Sequence, residues 1–298
     1  MNIIGIIEIG SSNTKTHIYE NDKIIYEKTN TIEFKKNYKN YGKVTNDDIN
    51  KLGTVIEKGL EYTNKLYLLG CSIFRKLSLE ELDDINNYLE SKYKVKITVV
   101  SQEEEANLTA FGAFNGIEFK GNICIFIGGG GSMELIFVNN KEIFEHKFYD
   151  FGVVDITNAF PDLKDDFNTC TFENVYNYAA SLIGEININC DLLILAGGDH
   201  LYWYENAGYE LGKNTLYENS KQQYMLTINK SDEFDKDALK RSLEEIKNRS
   251  DNPLWFNGSR AMKVITNVIS HKVNAKYIIP TKINMEDGFY IKIKESEK

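Results

Sequence analysis

Residues 3–9, IIGIIEI, form a nearly continuous apolar run interrupted by Glu8, the pattern of a strand covered on both faces. A polar turn, GSSNTK, follows. THIYEND (16–22) and KIIYEKTNTIEF (23–34) then alternate like two antiparallel strands around Asn21-Asp22. NDDINKLGTVIEKGLEYTN (46–64) carries apolar residues at helical spacing behind an Asn/Asp start, and KLYLLGC (65–71) reads as a strand. SLEELDDINNYLESKY (78–93) opens with a capping box, Ser78 with Glu81, and leads through a helix to a strand at VKITVV. QEEEANLTAFGAFNG (102–116) reads as a further helix.

The same grammar then restarts. NICIFIG is a strand, GGGS a loop, MELIFV a strand, Asn139-Asn140 a turn and EIFEHKFYDF a strand, which repeats the layout of residues 3–35. Two copies of one α/β unit are implied. Beyond them lie helical patterns at 171–184, 234–248 and 259–272, and apolar strands at 192–198 and 277–280. The expected division is 1–118 and 119–298. No low-complexity linker marks it, so the halves are expected to pack closely around a cleft.

Composition narrows the function. A chain of 298 residues that is 42% hydrophobic can bury a sizeable core, which excludes a disordered protein. The net charge is −9, and the one short basic cluster, FKKNYKN at 34–40, is too isolated to follow a nucleic-acid backbone. Nucleic acid is therefore not an expected partner. A phosphorylated ligand would need a site that is locally basic, lined by amides or bridged by a cation. Cys71, Cys124, Cys170 and Cys190 lie far apart without C-x-x-C spacing, so neither a zinc site nor a disulfide framework is expected. The start MNIIGIIEIG lacks a basic n-region and no run approaches a membrane span; the expected location is cytoplasmic, with no membrane partner.

The chemistry sits in the loops. Four consecutive glycines followed by Ser-Met-Glu expose backbone amides with little steric cover, a common way to hold phosphate. A strand, a Gly/Ser loop and a hairpin, once per half, resemble the acetate and sugar kinase/Hsp70/actin superfamily, whose two loops hold phosphates between them. Further segments resemble the exopolyphosphatase/guanosine pentaphosphate phosphatase (Ppx/GppA) family. IIEIGSSNTK (6–15) is similar to its I-D-L-G-S-N-S, LGCSIFR (69–75) to A-T-x-A-x-R, SQEEEANL (101–108) to S-G-x-E-E-A-x-L and GGGSMEL (129–135) to D-I-G-G-G-S-T-E-L. FGVVDIT (151–157), LAGGDH (195–200) and MEDGF (285–289) echo L-G-A-V-R-L-T, G-G-T and L-R-E-G in the same order.

The resemblance implies two actin-like (ribonuclease H-like) domains flanking a cleft, and metal-assisted water attack on a terminal phosphoanhydride. The substrate would be a guanosine penta- or tetraphosphate, another nucleotide or polyphosphate; low basic content leans slightly towards a nucleotide. Carried over, Glu105 falls on the water-activating carboxylate, Glu134 on the second catalytic Glu and Arg75 on the phosphate-binding Arg. Gly10, Ser11, Ser12 and Asn13 and Gly129, Gly130, Gly131 and Ser132 would form the phosphate loops. Glu8 and Glu134 would position a divalent cation, Mg2+ being the expected one. The residues agree with these roles: a Glu among neighbouring Glu residues has its pKa raised, which suits a base, and Arg offers a planar fork to phosphate oxygens.

Departures from the pattern are as informative. Ile127, or Phe126 in the other alignment, stands where the family has a metal-associated Asp; Glu8 replaces an Asp, and Asp155 and Glu286 stand where Arg is usual. Two accounts follow. Asp199 and His200, with Glu8 and Asp155, would rebuild the site; or hydrolysis is lost and the chain is a nucleotide- or phosphate-binding regulatory protein. Each feature also has an ordinary reading: the Glu triplet complements a helix dipole, Arg75 makes an ion pair, the Gly run is a turn, and Asp199 caps a helix ahead of a loop imidazole. Tyr202, Trp203, Tyr204, Trp255 and Phe256 are expected in the core more than against a base, and His17, His146 and His271 fit periodic structural positions. An assembly of two copies is compatible with the sequence.

Overall fold

The computed structural model describes residues 3–165, 170–216 and 222–297. In chain order the elements are β1 (Ile3–Ile9), β2 (Asn13–Glu20), β3 (Lys23–Thr31), α1 (Phe34–Tyr41), α2 (Asn46–Leu60), β4 (Leu66–Gly70), α3 (Leu79–Tyr93), β5 (Ile97–Val99) and α4 (Gln102–Phe114). Then come β6 (Ile123–Gly128), β7 (Met133–Asn139), β8 (Glu142–Tyr149), α5 (Val153–Ala159), α6 (Phe172–Ile183), β9 (Leu192–Leu195) and α7 (Asp199–Ala207). The chain closes with β10 (Gly212–Lys213), β11 (Tyr224–Thr227), α8 (Ile228–Ala238), α9 (Leu243–Lys247), α10 (Ser259–Lys272), β12 (Tyr277–Pro280) and α11 (Met285–Ser296).

Two compact units result. The first is Met1–Leu108 joined by Met285–Lys298, the second Thr109–Asn284. A single cut near residue 118 was expected; the units divide ten residues earlier, and the last helix returns to the first unit. α11 packs on β1 there, with Tyr290 stacked on Tyr19 at 4.2 Å and Tyr19 Oη donating to Asp287 at 3.1 Å.

The duplicated grammar is present in the sheets. The first has strand order β3-β2-β1-β4-β5, and the second runs β10-β11-β12-β9-β6-β7-β8. In each, a meander of three antiparallel strands continues into parallel strands, β1 onto β4 and β6 onto β9. The hairpin at Asn21-Asp22 has both residues at positive φ, 49° and 68°, the left-handed pair that two-residue turns need. The second hairpin turns at Asn140-Lys141, φ 50° and 66°, one residue beyond the expected Asn139-Asn140.

Capping sets the helix starts. Ser78 and Glu81 form the expected capping box, and Thr45 with Asp48 forms another, one residue ahead of the expected Asn46 start. The 234–248 pattern is two helices, because Ser242 accepts from the Glu245 amide and starts α9 anew. The second core includes Phe126, Leu135, Trp203, Tyr204 and Phe256, all fully buried, so those aromatics are structural; Tyr202 and Trp255 pack partly buried at its edge. Cys71, Cys124 and Cys190 are buried free thiols.

Candidate active site

In the first unit the turn after β1 is closed by its own backbone. The Gly10 amide donates to Asn13 O, and the carbonyls of Ser11 and Ser12 accept from Lys35 and Ile32. Their carbonyls are engaged, and the amides of Ser11 and Ser12 have no backbone acceptor among the described residues, which suits an anion-binding nest. Ser11 Oγ also bonds Ser72 Oγ. Ser72 stands at φ 51° at the head of a short 3-10 turn, Ser72–Lys76, which carries Arg75.

Arg75 and Glu105 meet, through Nη2 and Oε2, across 30 residues of sequence. The pair is the ordinary reading of Arg75, yet it leaves a donor over: Arg75 Nε is buried without a hydrogen-bond acceptor. Burial pushes the Glu105 carboxyl above its ordinary range; Arg75 opposes this and the Glu8 charge adds to it. Glu103 and Glu104 lie outside this arrangement. Glu104 caps the start of α4 through the Ser101 amide, which separates the base candidate from its neighbours in the triplet.

Glu8 faces Lys15 across the β1–β2 ladder, and the Lys15 ammonium donates to its carboxylate at 3.1 Å. Against Glu8 lies Glu286, fully buried, neither of whose oxygens receives a donor. Burial and then the Glu8 charge drive the Glu286 carboxyl well above the usual range. Burial would raise Glu8 as well, but Lys15 and the neighbouring Glu286 hold it low. The two carboxyls take opposite roles: Glu286 is the protonated acid and Glu8 the carboxylate. His17 Nδ1 stands 3.7 Å from Glu286. Neither Lys15 nor the Glu286 contact was read from the sequence. Lys15 was legible as the cross-strand neighbour of Glu8, whereas Glu286 requires the return of α11.

In the second unit the glycine loop joins β6 to β7. Gly129 N donates to Ser132 O, while the carbonyls of Gly129 and Gly130 accept from Val153 and Val154 at the start of α5. The amides of Gly130 and Gly131 have no backbone acceptor among the described residues. Gly152 makes this clamp fit, since a Cβ there would lie 2.4 Å from Gly129 O and 2.8 Å from Gly130 C. Gly152→Ala must push the glycine loop off α5. We expect a loss of about 1–3 kcal/mol in thermal or denaturant unfolding, with weakened binding of inorganic phosphate or pyrophosphate by calorimetry. Glu134 is largely buried on β7, its register partner being Ile127, where the family pattern led to an expected carboxylate.

The rebuilt site imagined from Asp155, Asp199 and His200 is not assembled. Asp155 accepts the Gly152 amide at 2.9 Å and caps α5. Asp199 is the first residue of α7 rather than its cap, which is Gly198, and accepts from Trp255 Nε1 at 3.2 Å. His200 is buried against Phe126 and near Thr266, and burial, reinforced by Lys263, drives its pKa well down, so it is a neutral core imidazole and not a loop residue. Among the described residues no group of three or more His, Cys, Asp or Glu side chains is placed to hold a metal ion. Glu8, already taken by Lys15, does not fit the role of a resident magnesium ligand.

The repeated order of three antiparallel and two parallel strands, with a phosphate-type loop after the first strand of each copy, defines an actin-like fold of two units. The model of the Ppx/GppA phosphatase family matches residues 17–247, and the chain belongs to that family. That family is one of phosphatases. Among solved structures, the Ppx/GppA phosphatase of Aquifex aeolicus in its type II variant is 15% identical, with a TM-score of 0.81 over 98% of this chain and 99% of that one. An exopolyphosphatase from Cytophaga hutchinsonii is 16% identical, with a TM-score of 0.74 over 99% and 98%. No curated protein matches the chain. No described helix is long and apolar enough to cross a membrane.

Proposed function

We propose that the chain hydrolyses a terminal phosphoanhydride in a guanosine penta- or tetraphosphate, another nucleotide or polyphosphate, with Glu105 as the base that activates water. The observation that carries this reading is the incomplete Arg75–Glu105 pair: a guanidinium with a buried, unsatisfied Nε beside a carboxylate whose pKa burial has raised. A terminal phosphate on Arg75 would satisfy Nε and compete for the Nη2 that Glu105 holds. Glu105, released from its cation, becomes a stronger base as the substrate arrives. The amides of Ser11 and Ser12 would take developing negative charge on the phosphoryl oxygens; those of Gly130 and Gly131 offer the second unit's own donors.

Lys15, paired with Glu8 and close enough to Glu105 to act on its charge, lowers the electrostatic cost of bringing a polyanion to an acidic protein. A divalent cation enters this reading as the counter-ion of the substrate's phosphates and not as a resident of a protein cage.

Phosphate release from guanosine pentaphosphate, simple nucleotides and short and long polyphosphate, each with and without magnesium, tests the proposal. We expect turnover of at least one, with orthophosphate as product. Tight binding of these compounds with no turnover of any would overturn it in favour of a binding protein.

A further inference from the structure

β1 and β4 run parallel with Ile9 opposite Gly70, and the Cys71 amide donates to Ile9 O at 3.0 Å. The chain therefore leaves both strands side by side, at the carboxyl ends where open α/β sheets bind ligands. Ser11 lies two residues beyond one strand and Ser72 two residues beyond the other, and their hydroxyls bond each other. Ser72 does so at φ 51°, a backbone conformation that a residue with a side chain adopts only at a cost. Ile73 and Phe74 pin its turn in the core, while Ser72 and Arg75 stay half-buried. The two serines hold two O–H groups and use one of them on the bond between them. The other has no acceptor among the described residues, and neither has Arg75 Nε, three residues further on.

From this arrangement we propose that Ser72 is a positioning residue for phosphate: through Ser11 it holds the turn bearing Arg75 against the amide nest, so that the guanidinium, the spare hydroxyl and the amides of Ser11 and Ser12 act on one phosphate group. The proposal rests on the phosphate-binding half of the hydrolase reading and not on Glu105. Glycine would adopt φ 51° freely but has no hydroxyl, so the side chain at this position is there in spite of the backbone. Binding and stability must then respond differently to its removal.

Calorimetric titration with pyrophosphate in the absence of divalent metal, with denaturant unfolding of the same samples, tests it. Ser72→Gly should weaken pyrophosphate binding about tenfold yet leave the unfolding midpoint nearly unchanged, because relief of the left-handed backbone offsets the lost hydroxyl bond. Ser11→Ala should weaken binding by a similar factor. Adding Ser72→Gly to Ser11→Ala should weaken it no further, since the two hydroxyls act as one unit. In turnover the same factor should appear in KM, with kcat within a few-fold of the wild type. Undiminished binding in Ser72→Gly, additive losses in the double variant, stability lost in step with binding, or a wild type that does not bind pyrophosphate would each overturn the proposal. The expected binding pattern without turnover of any substrate would sink the hydrolase reading alone and leave the role of Ser72 standing.

Discussion

Glu105→Gln should lower kcat for phosphate release by about a hundred- to ten-thousand-fold while leaving KM within a few-fold, the effect of removing a general base. Gln keeps an oxygen that can accept from Arg75, so the contact seen between them survives in neutral form and the fold stays intact. The separation of kcat from KM matters, because a residue that merely held Arg75 in place would change substrate binding too. The pH profile gives a second reading of the same group. The base must be ionised; burial raises the Glu105 carboxyl, so the wild-type rate should fall on the acid side above the usual carboxylate range. Bound phosphate on Arg75 would remove the opposing influence and move the limb higher for kcat than for kcat/KM. Glu105→Gln should lose that limb. Steady-state kinetics across pH reads all three.

Lys263→Met should be the most destabilising single change outside the site, costing about 3–5 kcal/mol in denaturant unfolding. Lys263 is buried in α10, 3.0 Å from Asp235 of α8, and donates to Tyr204 Oη of α7 at 2.7 Å, so one ammonium ties three helices. Burial opposes its charge, but Asp235 and Tyr204 more than restore it and raise its pKa. Without it Asp235 is a buried carboxylate supported by Ser231 and Asn267 alone. The sign with pH follows. An unpaired buried carboxyl has a folded pKa above its unfolded one, so it disfavours the folded state increasingly as pH rises through that range. The deficit of Lys263→Met should be largest near about pH 7 and shrink as pH falls, because Asp235 of the variant takes up its proton above the usual carboxylate range. Lys263→Met with Asp235→Leu removes both charges and should recover most of the loss.

What was legible in the sequence was local. Asn21-Asp22 demanded a left-handed hairpin, Ser78 with Glu81 demanded a helix start, and the repeated strand, glycine loop and hairpin gave the duplicated unit. The capped α9 inside an apparently continuous helical pattern could have been seen at Ser242. α7 was harder to see: it follows Gly197 and Gly198, both left-handed, and its buried face mixes His200, Trp203 and Tyr204 with Leu201 and Ala207, so polar and aromatic side chains blur the apolar period. The same burial turned His200 from a candidate ligand into core. In the site, Glu105 and Arg75 were named from short motifs, but their meeting is a contact over 30 residues, and Glu8 with Glu286 spans nearly the whole chain. Sequence periodicity has no access to such pairings, and they decide which carboxyl is acid and which is base.

Hydrolysis of polyphosphate or a guanosine pentaphosphate in 18O-labelled water tests the central claim most directly, because it reports which phosphorus the water attacks. Attack on the terminal phosphorus predicts one labelled oxygen in each released orthophosphate and none in the shortened product. Label in the shortened product, or orthophosphate released without label, would contradict it.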